Sequence, residues 1–260
     1  MVKGKTVLVT GSTSGIGKGI AEAFAMEGAN IVLNGFGDPQ EIEKLQADLR
    51  SRHGMAVGYE DTDLTDGEAI EEMMRRVEAD FGGVDILVNN AGIQHVDSLE
   101  DFPPEKWDTV LSLNLSSVFH TTRLVLPYMR SQGWGRIINI ASAHGLVASE
   151  KKSAYVAAKH GVMGLTKVTA LETANSGITC NAICPGWVLT PLVQKQVDAI
   201  AEKQDVDQEE AKKILLSEKM PHHQFVTVEQ LGATALYLCS PAADTMTGVP
   251  VTLDGGWTAR

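Results

Sequence analysis

"VTGSTSGIG" (residues 9–17) joins a β-branched apolar run to an amphipathic stretch and places Gly11, Gly15 and Gly17 in a G-x3-G-x-G spacing. Glycines at such a junction permit a tight turn and let the backbone approach a pyrophosphate. The phosphates then lie at a helix N-terminus, where free N–H groups and the helix dipole favour anions. A glycine-rich turn alone is equally a structural turn. With a strand before it and a helix after it, nucleotide binding is the stronger reading. The spacing departs from the G-x-G-x-x-G fingerprint.

The strand–helix rhythm continues outward from this turn. "KTVLVT" (5–10), "NIVLNG" (30–35), "AVGYED" (56–61), "VDILVNN" (84–90), "RIINIAS" (136–142), "ITCNAIC" (178–184) and "PVTLDG" (250–255) read as strands. Several are apolar at successive positions, as parallel strands covered on both faces are. Helical patterns such as "GKGIAEAFAMEG" (17–28) and "GEAIEEMMRRVEADFG" (67–82) lie between them. The alternation predicts an α/β fold with a doubly wound parallel sheet. A length of 260 residues suits a single domain. Residues 190–224 break the rhythm with a long, charged helical segment. It is expected to be a helical substrate lid, the alternative being an ordinary surface hairpin.

Hydrophobic residues make up 43% and charged residues 21% of the chain, the balance of a soluble globular protein. A net charge of −11 without a basic stripe argues against nucleic-acid binding. An anionic ligand would therefore need a local positive site. No secretory leader is expected, because the first strand begins at residue 5, and no apolar run has transmembrane length. Cys180, Cys184 and Cys239 form no CxxC pair and read as inert free thiols of a reducing compartment. A cytoplasmic location is the expectation.

A cofactor with a 2′-phosphate would require Arg or Lys near Asn34 to Phe36, or at Ser14, and none is present. Phe36 offers a bulky apolar wall. The acidic residue that often selects NAD is also missing at this strand tip, so the preference for NAD over NADP rests on the absent basic residues. Asp63, followed by Leu64, is placed either to meet the adenine amino group or to cap the next helix.

Tyr155 and Lys159 are four residues apart, which puts both on one helix face. Ser142 ends the fifth predicted strand, at the carboxyl edge where parallel sheets bind ligands. Asn114 lies in the preceding helical segment. Tyrosine with its ordinary pKa of about 10 is a poor base at neutral pH, and a nearby ammonium favours its phenolate. The expectation is a Tyr155 pKa lowered by Lys159 together with the positive nicotinamide of an oxidised cofactor, Ser142 on the substrate oxygen, and Asn114 anchoring a water that relays protons to Lys159.

"TGSTSGIG" (10–17), "NNAG" (89–92), Asn114, Ser142, Tyr155-x-x-x-Lys159 and "PG" (185–186) together resemble the short-chain dehydrogenase/reductase family, in order and spacing, over essentially the whole chain. The G-x3-G-x-G turn is that family's own variant. The resemblance implies a single-domain Rossmann fold with a seven-stranded parallel sheet and nicotinamide-dependent hydride transfer. It also implies a catalytic tetrad of Asn114, Ser142, Tyr155 and Lys159. A homotetramer is implied as well, with dimers formed through the long helices bearing Asn114 and Tyr155. The expected cofactor positions are Gly11, Thr13, Ser14, Gly15, Ile16, Gly17, Phe36, Asp63, Leu64, Asn90, Ala91, Gly92, Tyr155, Lys159, Pro185, Gly186, Val188 and Thr190.

"NNAGIQHVDSLEDFPPEKWD" (89–108), "NIASAHGLVAS" (139–149), "KSAYVAAKHG" (152–161), "CNAICPGWVLTPLV" (180–193) and "DGGWTAR" (254–260) are similar to the bacterial branch of the family that interconverts (R)-3-hydroxybutyrate and acetoacetate with NAD. This similarity implies that Gln94, His144, Lys152 and Gln196 hold the substrate carboxylate, beside Ser142 and Tyr155. Trp187 and Trp257 are implied at the methyl end. The residue chemistry agrees. A small hydroxy acid needs a cation and neutral donors around its carboxylate, and Lys152 and His144 lie close in sequence to Tyr155 and Ser142. Taken singly, these residues are equally a solvated lysine, a structural histidine, a surface glutamine or core tryptophans. Lys151 fits no role and is expected in solvent. His222 and His223 are adjacent, point apart and are not expected to bind metal. Two other readings remain: a short-chain reductase of a 3-oxoacyl thioester, sugar or steroid, and a non-catalytic NAD-binding sensor.

Overall fold

The computed structural model describes residues 2–259, apart from the side chains of His53 and Leu192. Seven strands form one sheet: β1 (Thr6–Val9), β2 (Asn30–Asn34), β3 (Val57–Glu60), β4 (Ile86–Asn89), β5 (Gly135–Ile140), β6 (Ile178–Pro185) and β7 (Pro250–Leu253). Their order is β3-β2-β1-β4-β5-β6-β7, and every pair is parallel. Each expected strand is present with its ends within a residue or two of those expected; β5 begins one residue earlier and β6 ends one residue later.

Alternate residues of each strand feed two cores. Val7, Val9, Ile31, Leu33, Ile138 and Ile140 enter one. Leu8, Val32, Leu87, Ile137 and Ile178 enter the other. Burial on both faces explains why several of these strands are apolar at successive positions. Helices α1 (Gly15–Met26), α2 (Pro39–His53), α3 (Gly67–Phe81), α4 (Pro104–Leu111), α5 (Ser117–Gln132) and α6 (Ser153–Thr173) follow the first five strands. Asp38 caps α2 by accepting from the N–H groups of Gln40 and Glu41, and Asp66 caps α3 in the same way. Gly54, Gly82 and Gly133 end α2, α3 and α5 in the left-handed conformation.

Between α4 and α5 the chain widens into a π-helical turn, Ser112–Ser116, an irregularity that sequence periodicity did not reveal. After β6 come α7 (Pro191–Gln204) and α8 (Gln208–Lys219), which pack on each other and form the excursion expected at 190–224. Helix α9 (Val228–Leu238) then packs on α1 before β7. The strand order reverses on either side of β1, between β2 and β4. Crevices at such a reversal open at the carboxyl ends of the strands.

Candidate active site

A cavity of about 500 Å³ occupies that crevice and runs from Gly11 to Trp257. At one end lies the turn after β1. Gly11 and Gly15 have φ of 63° and 55°, a region glycine enters without strain. A β-carbon on Gly11 would lie 2.8 Å from the Ala91 Cα, and one on Gly17 would lie 2.4 Å from the Gly11 carbonyl oxygen. The absence of side chains there lets Asn90 Nδ2 donate to the carbonyls of Thr10 and Gly11 at 2.9 and 3.0 Å. Gly17 therefore does not line the cavity as expected; it locks the turn against the β4 end.

The N-terminus of α1 is open to an anion. Ser14 makes no side-chain cap bond, and no acidic residue lies in the first turn. These features fit a dinucleotide pyrophosphate. Phe36 is 65% exposed at the cavity wall, and among the described residues the only Lys or Arg on the lining are Lys152 and Lys159, at the other end. Asn34 is committed elsewhere, donating to the carbonyls of Glu60 and Thr62. Asp63 lines the cavity and accepts from the N–H and hydroxyl of Thr65; the helix cap is Asp66, not Asp63.

At the chemical end, Ser142 follows β5, and Tyr155 and Lys159 lie on α6. All three line the cavity. Lys159 Nζ donates to the Ile140 carbonyl at 2.7 Å and sits 5.7 Å from the Tyr155 ring centre. Burial lowers the Lys159 ammonium to about 8. The Tyr155 phenol departs from expectation. Burial raises its pKa, and only the Ser142 hydroxyl opposes this. Desolvation is the larger influence in the chain by itself, and the Lys159 ammonium is directed to a backbone carbonyl; the expected depression drew on the nicotinamide charge as well.

Asn114 lies within the π-helical turn. Its Oδ1 accepts from the Ile93 N–H and its Nδ2 donates to the Ile93 carbonyl, both at 2.9 Å. The side chain is fully buried and is held by the two peptide groups that flank Ile93, one bond at each end of its amide. It pins the segment after β4 that carries Gln94.

The substrate-end residues converge. Gln94, His144, Lys152, Trp187, Gln196 and Trp257 all line the cavity, Gln196 from α7. Lys152 is the residue before α6 and only 8% exposed, so it is not a solvated loop lysine. Its ammonium lies 4.8 Å from the Trp187 ring centre, and no described residue accepts a hydrogen bond from it or forms an ion pair with it. Burial lowers it to about 8, with Glu218 opposing. His144 is buried, contacts Ser149 Oγ through Nε2 at 2.9 Å and meets the Trp257 ring edge-on at 4.9 Å. Burial, then Lys152, drive its pKa down to about 3, so the ring is neutral. Trp187 and Trp257 are tilted against each other at 5.7 Å. A buried, unpaired cation beside neutral donors is an anion site.

Lys151 is exposed, as expected. The three cysteines are buried and free, and burial raises their thiols to about 12 at Cys180 and Cys239 and about 11 at Cys184. No group of three or more candidate metal ligands occurs among the described residues, His222 and His223 included. No helix among them is long and apolar enough to cross a membrane. Ile93, Val193 and Ser149 escaped sequence reading. The first two are ordinary apolar positions that complete the lining. Ser149 reaches His144 because the chain bends back after the 3-10 turn Ala143–Gly145 that carries the histidine.

A short chain dehydrogenase family model matches residues 5–201. A D-beta-hydroxybutyrate dehydrogenase of Cupriavidus necator is 60% identical over 260 residues, covering 100% of both chains. One of Rhizobium meliloti is 54% identical over 98% of this chain and 99% of its own. The L-sorbose reductase of Gluconobacter frateurii, solved with NADPH and L-sorbose, superposes with a TM-score of 0.94 at 31% identity, covering 100% of this chain and 98% of that one.

Proposed function

The chain belongs to the short-chain dehydrogenases, a family of oxidoreductases, and we propose that it interconverts (R)-3-hydroxybutyrate and acetoacetate with NAD. The observation that carries this reading is the buried Lys152 ammonium, unpaired and over Trp187, on the same cavity as Ser142 and Tyr155. A thioester, sugar or steroid substrate has no carboxylate to match it. The two relatives named D-beta-hydroxybutyrate dehydrogenase support the same substrate.

The nicotinamide cofactor, when bound, supplies the hydride acceptor or donor. The glycine turn and the α1 N-terminus hold its pyrophosphate, and Asp63 and Phe36 flank the adenosine end. Lack of any basic residue at that end supports NAD over NADP. Ser142 donates to the substrate oxygen. In oxidation the Tyr155 oxygen takes the substrate's hydroxyl proton, and in reduction the phenol returns it. Lys159 supplies positive charge beneath the phenol and donors for the ribose. Lys152, Gln94, Gln196 and neutral His144 hold the carboxylate, while Trp187 and Trp257 bound the methyl end. Gln196 lies on α7, so the α7–α8 hairpin acts as a lid that the carboxylate draws shut.

A homotetramer accompanies this reading, supported by exposed apolar side chains on the two long helices: Phe119 on α5, and Val168 and Leu171 on α6. Three unpaired thiols agree with a reducing, cytoplasmic setting. The deciding measurement is nicotinamide absorbance with both enantiomers of 3-hydroxybutyrate, its methyl ester, NAD and NADP. Turnover confined to the (R)-acid with NAD supports the proposal. Equal rates with the ester would rule out the carboxylate clamp and point to a thioester reductase. Absence of any turnover across the panel would favour an NAD-binding sensor.

A further inference from the structure

The two tryptophans that wall the substrate end come from turns far apart in sequence, after β6 and after β7. Asp254 shapes the second turn by accepting from the N–H groups of Gly256 and Thr258. Where the two turns meet, one side chain from the hairpin is wedged between them. Met220, the residue after α8, is 1% exposed. Its sulfur accepts the Trp187 backbone N–H at 3.2 Å. A β-carbon on Gly186 would lie 3.0 Å from that sulfur, and one on Gly255 would lie 2.9 Å from the Met220 Cε. Both glycines thus leave room for the same thioether. The neighbouring backbone is stitched to the same place: His222 N–H donates to Gly255 O at 3.0 Å, and Val226 N–H to Trp187 O at 2.9 Å.

We propose that Met220 is a positioning residue that fixes the distance between the Trp187 and Trp257 walls and couples the end of α8 to the carboxylate site. The inference rests on the substrate reading above. The physical reasons are two. The Trp187 backbone N–H is buried, and without the sulfur it has no acceptor. Methionine is also slender enough to fill a gap between two glycine turns, where a branched chain fits poorly. Trp187 in turn lies under the Lys152 ammonium, and Trp257 against His144. A shift of the wedge therefore moves both the anion site and the wall that limits chain length.

The test compares wild type, Met220→Leu and Met220→Ala. Leucine keeps the bulk and removes the acceptor; alanine removes both. Leucine should raise KM for 3-hydroxybutyrate about tenfold while leaving KM for NAD within about twofold. Alanine should add a change in preference, with kcat/KM for five- and six-carbon 3-hydroxy acids rising relative to the four-carbon acid. If alanine does not fold, the leucine variant alone decides. Wild-type KM and chain-length preference in the leucine variant would overturn the proposal, as would equal losses for NAD and substrate, the mark of a general structural role. Failure of the wild type to turn over 3-hydroxybutyrate would instead sink the substrate reading, and this inference with it.

Discussion

Lys152 and Lys159 flank Tyr155 in sequence, and burial lowers both ammonium groups to about 8. They face different partners. Lys159 donates to the Ile140 carbonyl below the phenol, and Lys152 lies over Trp187. Lys152→Ala should raise KM for 3-hydroxybutyrate about 10- to 100-fold, the worth of a hydrogen bond to a charged group, and leave NAD binding unchanged. An unaltered KM would remove Lys152 from the substrate site. The lowered pKa also sets a pH signature. The cation is present below about 8 and lost above it. The inhibition constant of an unreactive short carboxylate such as butyrate should therefore be flat between about pH 6, where the carboxylate is ionised, and that point, and rise about tenfold per unit beyond it. No step is expected near the ordinary histidine range, since His144 is neutral down to about 3. Tyr155→Phe should reduce turnover by at least about a hundredfold with NAD affinity retained. Stopped-flow or steady-state rates close to wild type would exclude the phenol as acid and base.

At the scale of elements, the glycine turn was legible because its constraint is local: left-handed φ and missing β-carbons are written as Gly. What the turn leans on was not. Gly17 meets the Gly11 carbonyl and Asn90, a contact between the ends of β1 and β4. Gly17→Ala should therefore lower the melting temperature and weaken NAD binding together, by about 1–3 kcal/mol of overpacking. Calorimetry and an NAD titration check this, and a variant with wild-type values in both would show that the turn can relax. The π-helical turn at Asn114 belongs here too. The residue type announced a special position, but periodicity could not show that its amide is spent on Ile93. That commitment depends on how far the segment after β4 lies from the helix.

On the scale of the whole molecule, the parallel sheet follows from strands with apolar residues at successive positions, as in β1, β2 and β4, since a sheet covered on both faces buries them. The same logic turns outward at α5 and α6. Leu171 is 80% exposed, and Phe119 and Val168 about half. Leu171→Glu should break the proposed assembly, seen as a smaller sedimentation coefficient with the secondary structure retained. A wild type that sediments as a monomer would dismiss the tetramer outright.

The amino-acid order by itself determined the strand succession and the nucleotide turn, because these depend on local periodicity and backbone permissiveness; the side chains expected around the substrate came from the resemblance to a family, not from local pattern. Tertiary structure decided their electrostatic state. Enclosure raised the Tyr155 phenol where a neighbouring lysine was expected to lower it, and made Lys152 a buried cation rather than a solvated one. It also placed Met220 between two tryptophan-bearing turns. Desolvation and three-way packing depend on every element that closes over a residue, and that closure is a property of the folded chain rather than of any stretch of it.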